Sequence, residues 1–247
     1  TPYLEYQDLT AEDNNFVEEY SISYTRQSAM DNTGEELQQF ISEANSLLTQ
    51  HKCIPTFSKK GIHNSLVLFD FRSHLYAPLI SLTNESLKIQ ISPIALNKDE
   101  MNFVEMLKDY TETNAEKLSN KSLYLLRNKS KVGMGFFEAG NFYPDYILWI
   151  DTPDRQYISF IDPKGLMRIT PDNPKIQFHK TIKELERRLQ DSALAAKPIV
   201  LNSFIMSATK STDLEIWCGN TKYSETAARE SINVYTLDEK KAVARMM

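Results

Sequence analysis

Two five-residue runs, YILWI (146–150) and YISFI (157–161), constrain the fold of this chain more than any other feature. Each is built of aromatic and β-branched residues, the types that pack best on a pleated, half-buried surface. The linker between them, DTPDRQ, carries turn chemistry. An antiparallel hairpin is the economical solution. Pairing Ile150 with Tyr157 fixes a register that also sets Asp145 opposite Asp162, with side-chain roots about 5 Å apart on one face. Strand alternation brings Lys164 to that face as well. Pro163 has no N–H to donate, so regular pairing is expected to stop there and leave the strand end open. A slip of one residue would send the two carboxylates to opposite faces, so the reading stands or falls on the register.

Two carboxylates at that distance repel, and each raises the pKa of the other unless a cation intervenes. Hard oxygen donors with open positions suit Mg²⁺, which takes one or two protein carboxylates and keeps several waters; Mn²⁺ can replace it. A lysine beside such an ion neutralises charge on a phosphorane and orients a water. Metal, lysine and water together are the parts of phosphodiester hydrolysis. The plain alternative is a solvated hairpin end, since an aspartate flanking a turn near a lysine is common.

The elements around the hairpin predict a mixed α/β fold. GEELQQFISEANSLLTQ places Leu37, Phe40, Ile41, Ala44, Leu47 and Leu48 at helical spacing. A weak strand signal surrounds Tyr20, Ile22 and Tyr24, and SLVLFDF, HLYAPLISL and SLKIQIS read as further strands. ALNKDEMNFVEMLKDYTE is helical, with Asn97 as N-cap and Phe103, Met106, Leu107 and Tyr110 on one stripe. SLYLLR is a short strand. After the hairpin, Asn173 and Pro174 open a helix with Ile176, His179, Ile182, Leu185 and Leu189 on one face, and KPIVLNSFIM closes as a buried strand. The order helix, three strands, helix, strand defines a core over 93–247, with 1–92 as an N-terminal α+β extension.

Composition bears mainly on partners. With 28 basic and 33 acidic side chains the net charge is −5, which argues against nonspecific binding of a polyanion by the whole surface. Any nucleic-acid contact has to be local. Cys53 and Cys218 lack zinc-site spacing and read as idle thiols in a reducing compartment. No apolar run reaches the roughly 18 residues of a membrane span, and no basic-then-apolar leader opens the chain, so a cytoplasmic protein is expected. The start at Thr1 rather than Met fits a piece of something longer.

Pro144-Asp145 followed by Asp162-Pro163-Lys164 resembles the PD-(D/E)xK motif of the restriction-endonuclease-like nucleases, and the element order from residue 97 resembles the core of that family. HLYAPLI, ISPIALNKDEMNFV, LYLLRN, GFFEAGNFYPDYILWI and FIDPKGL together resemble the C-terminal region of DEAD/DEAH-box helicases related to the restriction subunit of type III restriction–modification systems. These segments run from His74 to Leu166, and LEYQDLTAEDNNFVEEY extends the similarity to nearly the whole chain. The resemblance implies a Mg²⁺-dependent DNA endonuclease module joined to a helicase or translocase motor, with a modification methyltransferase subunit as a further partner. It implies Asp145 and Asp162 as metal-binding acids and Lys164 as the residue that positions the attacking water. The family often adds a helix glutamate, and Glu100 is the better candidate because it lies about 60° from Phe103 on the helical wheel. A first-turn acid favoured by the helix dipole is the competing reading. The second acid is Asp where the family more often has Glu, and no GxxxxGK[ST] phosphate loop occurs in the chain.

Additional site candidates are Glu138, in a loop before Asp145, and His179, for which a satisfied half-buried histidine is the alternative. Gly140 and Asn141 are expected to shape the turn that delivers Asp145. Lys129 and Lys131, with Arg127, and Lys175 and Lys180, with Lys183, Arg187 and Arg188, are local positive clusters and candidate DNA contacts. The aromatics of FFEAGNFY are expected in the core rather than as stacking platforms. A second reading keeps the fold and drops the chemistry: an inactive nuclease-like module that docks DNA or a partner for an attached helicase.

Overall fold

The computed structural model describes residues 21–24, 33–49, 58–63, 66–70, 79–82, 89–92, 94–128, 133–166, 169–191, 197–210, 213–214, 217, 219, 222–237 and 239–247. Cys53, Cys218, Lys129 and Lys131 lie outside these residues.

The hairpin forms as the sequence predicts. Strands β7 (Tyr146–Asp151) and β8 (Gln156–Lys164) pair antiparallel with Ile150 opposite Tyr157. They form the middle of a five-stranded sheet, with β6 (Ser122–Arg127) antiparallel on β7 and β9 (Ile199–Ser207) parallel on β8. The last strand, β10 (Val234–Thr236), runs parallel to β9. The sheet is mixed and the protein is α/β. The open end differs in part from expectation. Pairing with β7 ends at Tyr146 and Ile161, but β9 continues to pair with β8 as far as Lys164 opposite Ser207. One missing N–H does not end a strand that a parallel neighbour still supports.

Helix α2 (Lys98–Thr113) buries Phe103, Val104 and Leu107 against the sheet, with the Phe103 ring 5.1 Å from that of Tyr146. Asn97 caps it in a complete capping box: its side chain accepts from the Asp99 and Glu100 N–H groups, and Glu100 accepts from the Asn97 N–H. Met106 and Tyr110 sit on the flank of that stripe, half-buried. Helix α3 (Pro174–Asp191) starts where Asn173 accepts from the Lys175 N–H, and it buries Ile176, Phe178 and Ile182. Short helices α4 (Thr226–Ser231) and α5 (Lys241–Met246) flank β10, and Ala242, Val243 and Met246 join the core.

A second small core gathers Leu37, Phe40, Leu66, Leu68 and Ile80. Helix α1 (Thr33–Thr49) supplies the first two; Ile41, expected on the same stripe, is exposed. Strands β2 (Ser58–His63), β3 (Leu66–Asp70) and β4 (Leu79–Leu82) form an antiparallel sheet, and β1 (Ser21–Tyr24) pairs with β5 (Ile89–Ser92). Phe69 and Leu79 belong to the main core, and the Leu96 N–H donates to the Ile80 carbonyl at 2.7 Å. No helix among the described residues is long and apolar enough to cross a membrane.

Candidate functional site

The β7–β8 register places Asp145 and Asp162 one step beyond the last pair, Tyr146 with Ile161. That step brings the two carboxyl groups to one face of the sheet, close enough for the Asp162 charge to act on Asp145. Asp162 is 4% exposed and pairs with the Lys164 ammonium two residues on. Burial, with the charges of Asp162 and Glu100 behind it, raises the Asp145 pKa from 3.8 to about 8; Lys164 works in the opposite direction. Asp145, Asp162, Lys164 and Glu100 thus act on one another in one small space, supplied by β7, β8 and α2.

Local structure explains how Asp145 is delivered. Gly140 and Asn141 both adopt positive φ, 69° and 57°, and close a turn that returns the chain to β7. Phe136 and Phe142 exchange backbone hydrogen bonds at 2.7 and 3.0 Å across the base of that loop. Asn128, at the end of β6, holds the two arms together. Its amide nitrogen donates to the carbonyls of Met134 (2.7 Å) and Pro144 (2.9 Å), its side-chain oxygen accepts from the Met134 N–H (2.9 Å), and its backbone N–H donates to the Asp145 carbonyl (2.8 Å). Asn128 positions the acid through its backbone and that of Pro144, and no sequence pattern announced it.

Arg127 corrects an expectation. It is not a solvated phosphate contact: it is buried, donates to the Ile94 and Ala95 carbonyls, and pairs with Glu100 at 3.2 Å. Glu100 is 7% exposed and meets Arg127 on one side and the α2 N-terminus on the other, as the first-turn reading expects. Its charge acts on Asp145 while its oxygens serve the cap and the arginine.

On the sheet face shared by Phe160, Asp162 and Lys164, the Lys164 ammonium lies 5.6 Å from the Phe142 ring centroid. Phe136, Phe142, Phe160 and Phe178 pack in one cluster, with the Phe136 and Phe160 centroids 4.8 Å apart. Lys164 therefore extends over a rigid aromatic floor.

The remaining candidates separate. The backbone of Glu138 lies in the 3-10 turn Phe137–Ala139, and its side chain is outside the described set. His179 is half-buried, with Nδ1 2.9 Å from the Ile176 carbonyl and its pKa lowered by burial; it is not among the groups acting on Asp145. Lys175 and Lys180 lie in the first turns of α3, and Lys180 donates to Gln177 at 2.9 Å. Lys183, expected as a phosphate contact, is pinned to the Leu201 carbonyl at 2.6 Å and to Glu186 at 2.8 Å. Arg188 pairs with Glu184 at 3.1 Å. A cleft of about 390 Å³ opens beside Ser207, the strand partner of Lys164, and takes Lys98 from α2 and Lys210 from the chain after β9.

The donor set suits a hard divalent ion. Two neighbouring carboxylates in a largely buried space, with burial and charge raising the pKa of one to about 8, are the arrangement that such a cation relieves by replacing the proton. Among the described residues no group of three or more His, Cys, Asp or Glu side chains is arranged to hold a metal. Comparison of the chain with family models, curated proteins and solved structures returned no match.

Proposed function

We propose that the chain is a divalent-metal-dependent endonuclease domain with a restriction-endonuclease-like core, the cleavage module of a helicase- or translocase-linked restriction or defence protein. The observation that carries this reading is the convergence of Asp145, Asp162 and Lys164 at one end of the hairpin, in the register on which the chemistry depends.

Asp145 and Asp162 would hold Mg²⁺, which supplies Lewis-acid activation of the phosphoryl group and of a bound water. Lys164, now paired with Asp162, turns its ammonium toward the phosphate when that carboxylate is otherwise engaged, orients the attacking water and offsets charge on the phosphorane. Phe142 beneath it limits where the ammonium can go. Glu100, fixed by Arg127, keeps a negative field on Asp145 and so favours a cation at the site. Lys98 and Lys210 in the adjacent cleft give the otherwise acidic chain a local place for phosphates.

The test is cleavage of supercoiled plasmid and of labelled oligonucleotides in Mg²⁺ or Mn²⁺. Wild type should cut, while Asp162→Ala and Lys164→Met should not. Equal cutting by wild type and Asp162→Ala would remove the assignment. No cutting by any of them, with nucleic acid still bound, would favour the module that only docks DNA.

A further inference from the structure

Five large hydrophobic side chains are exposed among the described residues, and three of them, Ile94 at 81%, Phe137 at 79% and Met134 at 46%, lie in segments tied to the end of β6 or in the loop before Asp145. Their placement follows from the site's own scaffold. Ile94 presents its carbonyl to Arg127, and Met134 presents its carbonyl to Asn128, the two residues that close β6 beside Asp145. Phe137 follows Phe136, whose ring packs on Phe160. Phe160 stands two residues before Asp162 on the same face, about 7 Å along the strand. Phe136 faces the core and Phe137 faces solvent, on a loop braced by the Phe136–Phe142 bridge and by Asn128.

A water-exposed phenyl ring on a braced backbone is prepaid surface for a ligand with an apolar face. On the nuclease reading, Lys164 and a cation held by the acid pair would take a phosphate at the strand end that this loop leads into. A ligand that offers a phosphate to one and a flat π-face to the other is an unpaired nucleotide strand. In a duplex the base faces are stacked on one another and cannot reach the ring. We propose that Phe137 is a stacking platform for an unpaired base, so that the preferred substrate is single-stranded or locally unstacked nucleic acid. This rests on the nuclease reading and names its substrate class.

The experiment measures binding apart from cleavage. Fluorescence anisotropy with a labelled oligo-dT strand and a duplex of equal length, in Ca²⁺, compares wild type with Phe137→Ala, Phe137→Leu and Phe137→Trp; the position is exposed, so thermal unfolding should match in all four. Phe137→Ala should weaken binding of the unpaired strand by about tenfold or more, the range found for loss of one base-stacking aromatic, with the duplex unchanged. Trp should restore it and Leu should not. Strand binding by Phe137→Ala within twofold of wild type would overturn the platform, as would equal losses on strand and duplex. Equal rescue by Leu and Trp would overturn it in favour of a general apolar contact, such as a protein partner. If Asp162→Ala abolishes cleavage while Phe137→Ala changes nothing, this inference fails alone; wild type that binds no oligonucleotide overturns both.

Discussion

Replacing Asp145 by Asn should remove a pH dependence of stability that the native site imposes. In the folded protein burial, Asp162 and Glu100 raise the Asp145 pKa from 3.8 to about 8. Between those values the folded chain keeps a proton that the unfolded chain has released. The stability linked to this group is therefore fully present below about pH 4 and is lost as pH rises toward 8, the reverse of a salt-bridged aspartate. One retained proton gives a slope of about −1.4 kcal/mol per pH unit, so wild type should lose about 2–3 kcal/mol relative to Asp145→Asn between pH 5 and pH 7. Asn carries no charge, and Asp162 keeps Lys164. The assay is urea unfolding of both proteins in EDTA at several pH values, read as the difference between them so that other titrating groups cancel. Adding Mn²⁺ at pH 7 should recover most of the wild-type loss and little in the variant. Parallel curves, within about 0.5 kcal/mol across that range, would refute the crowding of these carboxylates.

Other perturbations follow from the scaffold. Arg127→Ala leaves Glu100 buried with its main cation gone and should destabilise the protein by about 3–5 kcal/mol by chemical denaturation, with Glu100→Gln in the same background recovering part of it. Asn128→Ala removes three side-chain hydrogen bonds to backbone groups and should cost about 1–3 kcal/mol; it should also lower metal affinity by freeing Pro144-Asp145, an effect absent from an equally destabilising Leu37→Ala control in the second small core. Gly140→Ala puts a side chain at φ 69°, with ordinary contact room around it, and should cost about 1–2 kcal/mol in thermal unfolding.

The parts of this fold that were legible in the sequence are those set by local chemistry. YILWI and YISFI differ in nothing but their turn from a minimal hairpin, so Ile150 with Tyr157 was the natural register, and Asn97 and Asn173-Pro174 announced their helices by cap residues alone. The parts that were not legible depend on distance. Arg127 reads as one more surface cation until α2, 27 residues earlier in the chain, brings Glu100 to it. Asn128 gains its role only when the loop returns 16 residues later with Pro144. Strand β2 was missed because SKKGIH has no apolar alternation; pairing with β3 holds it. The three residues of β10 were too few to show a period, and β9 selects them by parallel pairing. Phe136 and Phe137 look alike in sequence, and the bridge from Phe136 to Phe142 fixes which ring packs against the core.

The most direct test of the central claim is calorimetric titration of Mn²⁺ into wild type and Asp162→Ala at pH 7.5, with circular dichroism to show that both are folded. The account predicts one saturable site in wild type that is absent from the variant. Identical heats in the two proteins, whether the same isotherm or none at all, would contradict a metal held between Asp145 and Asp162.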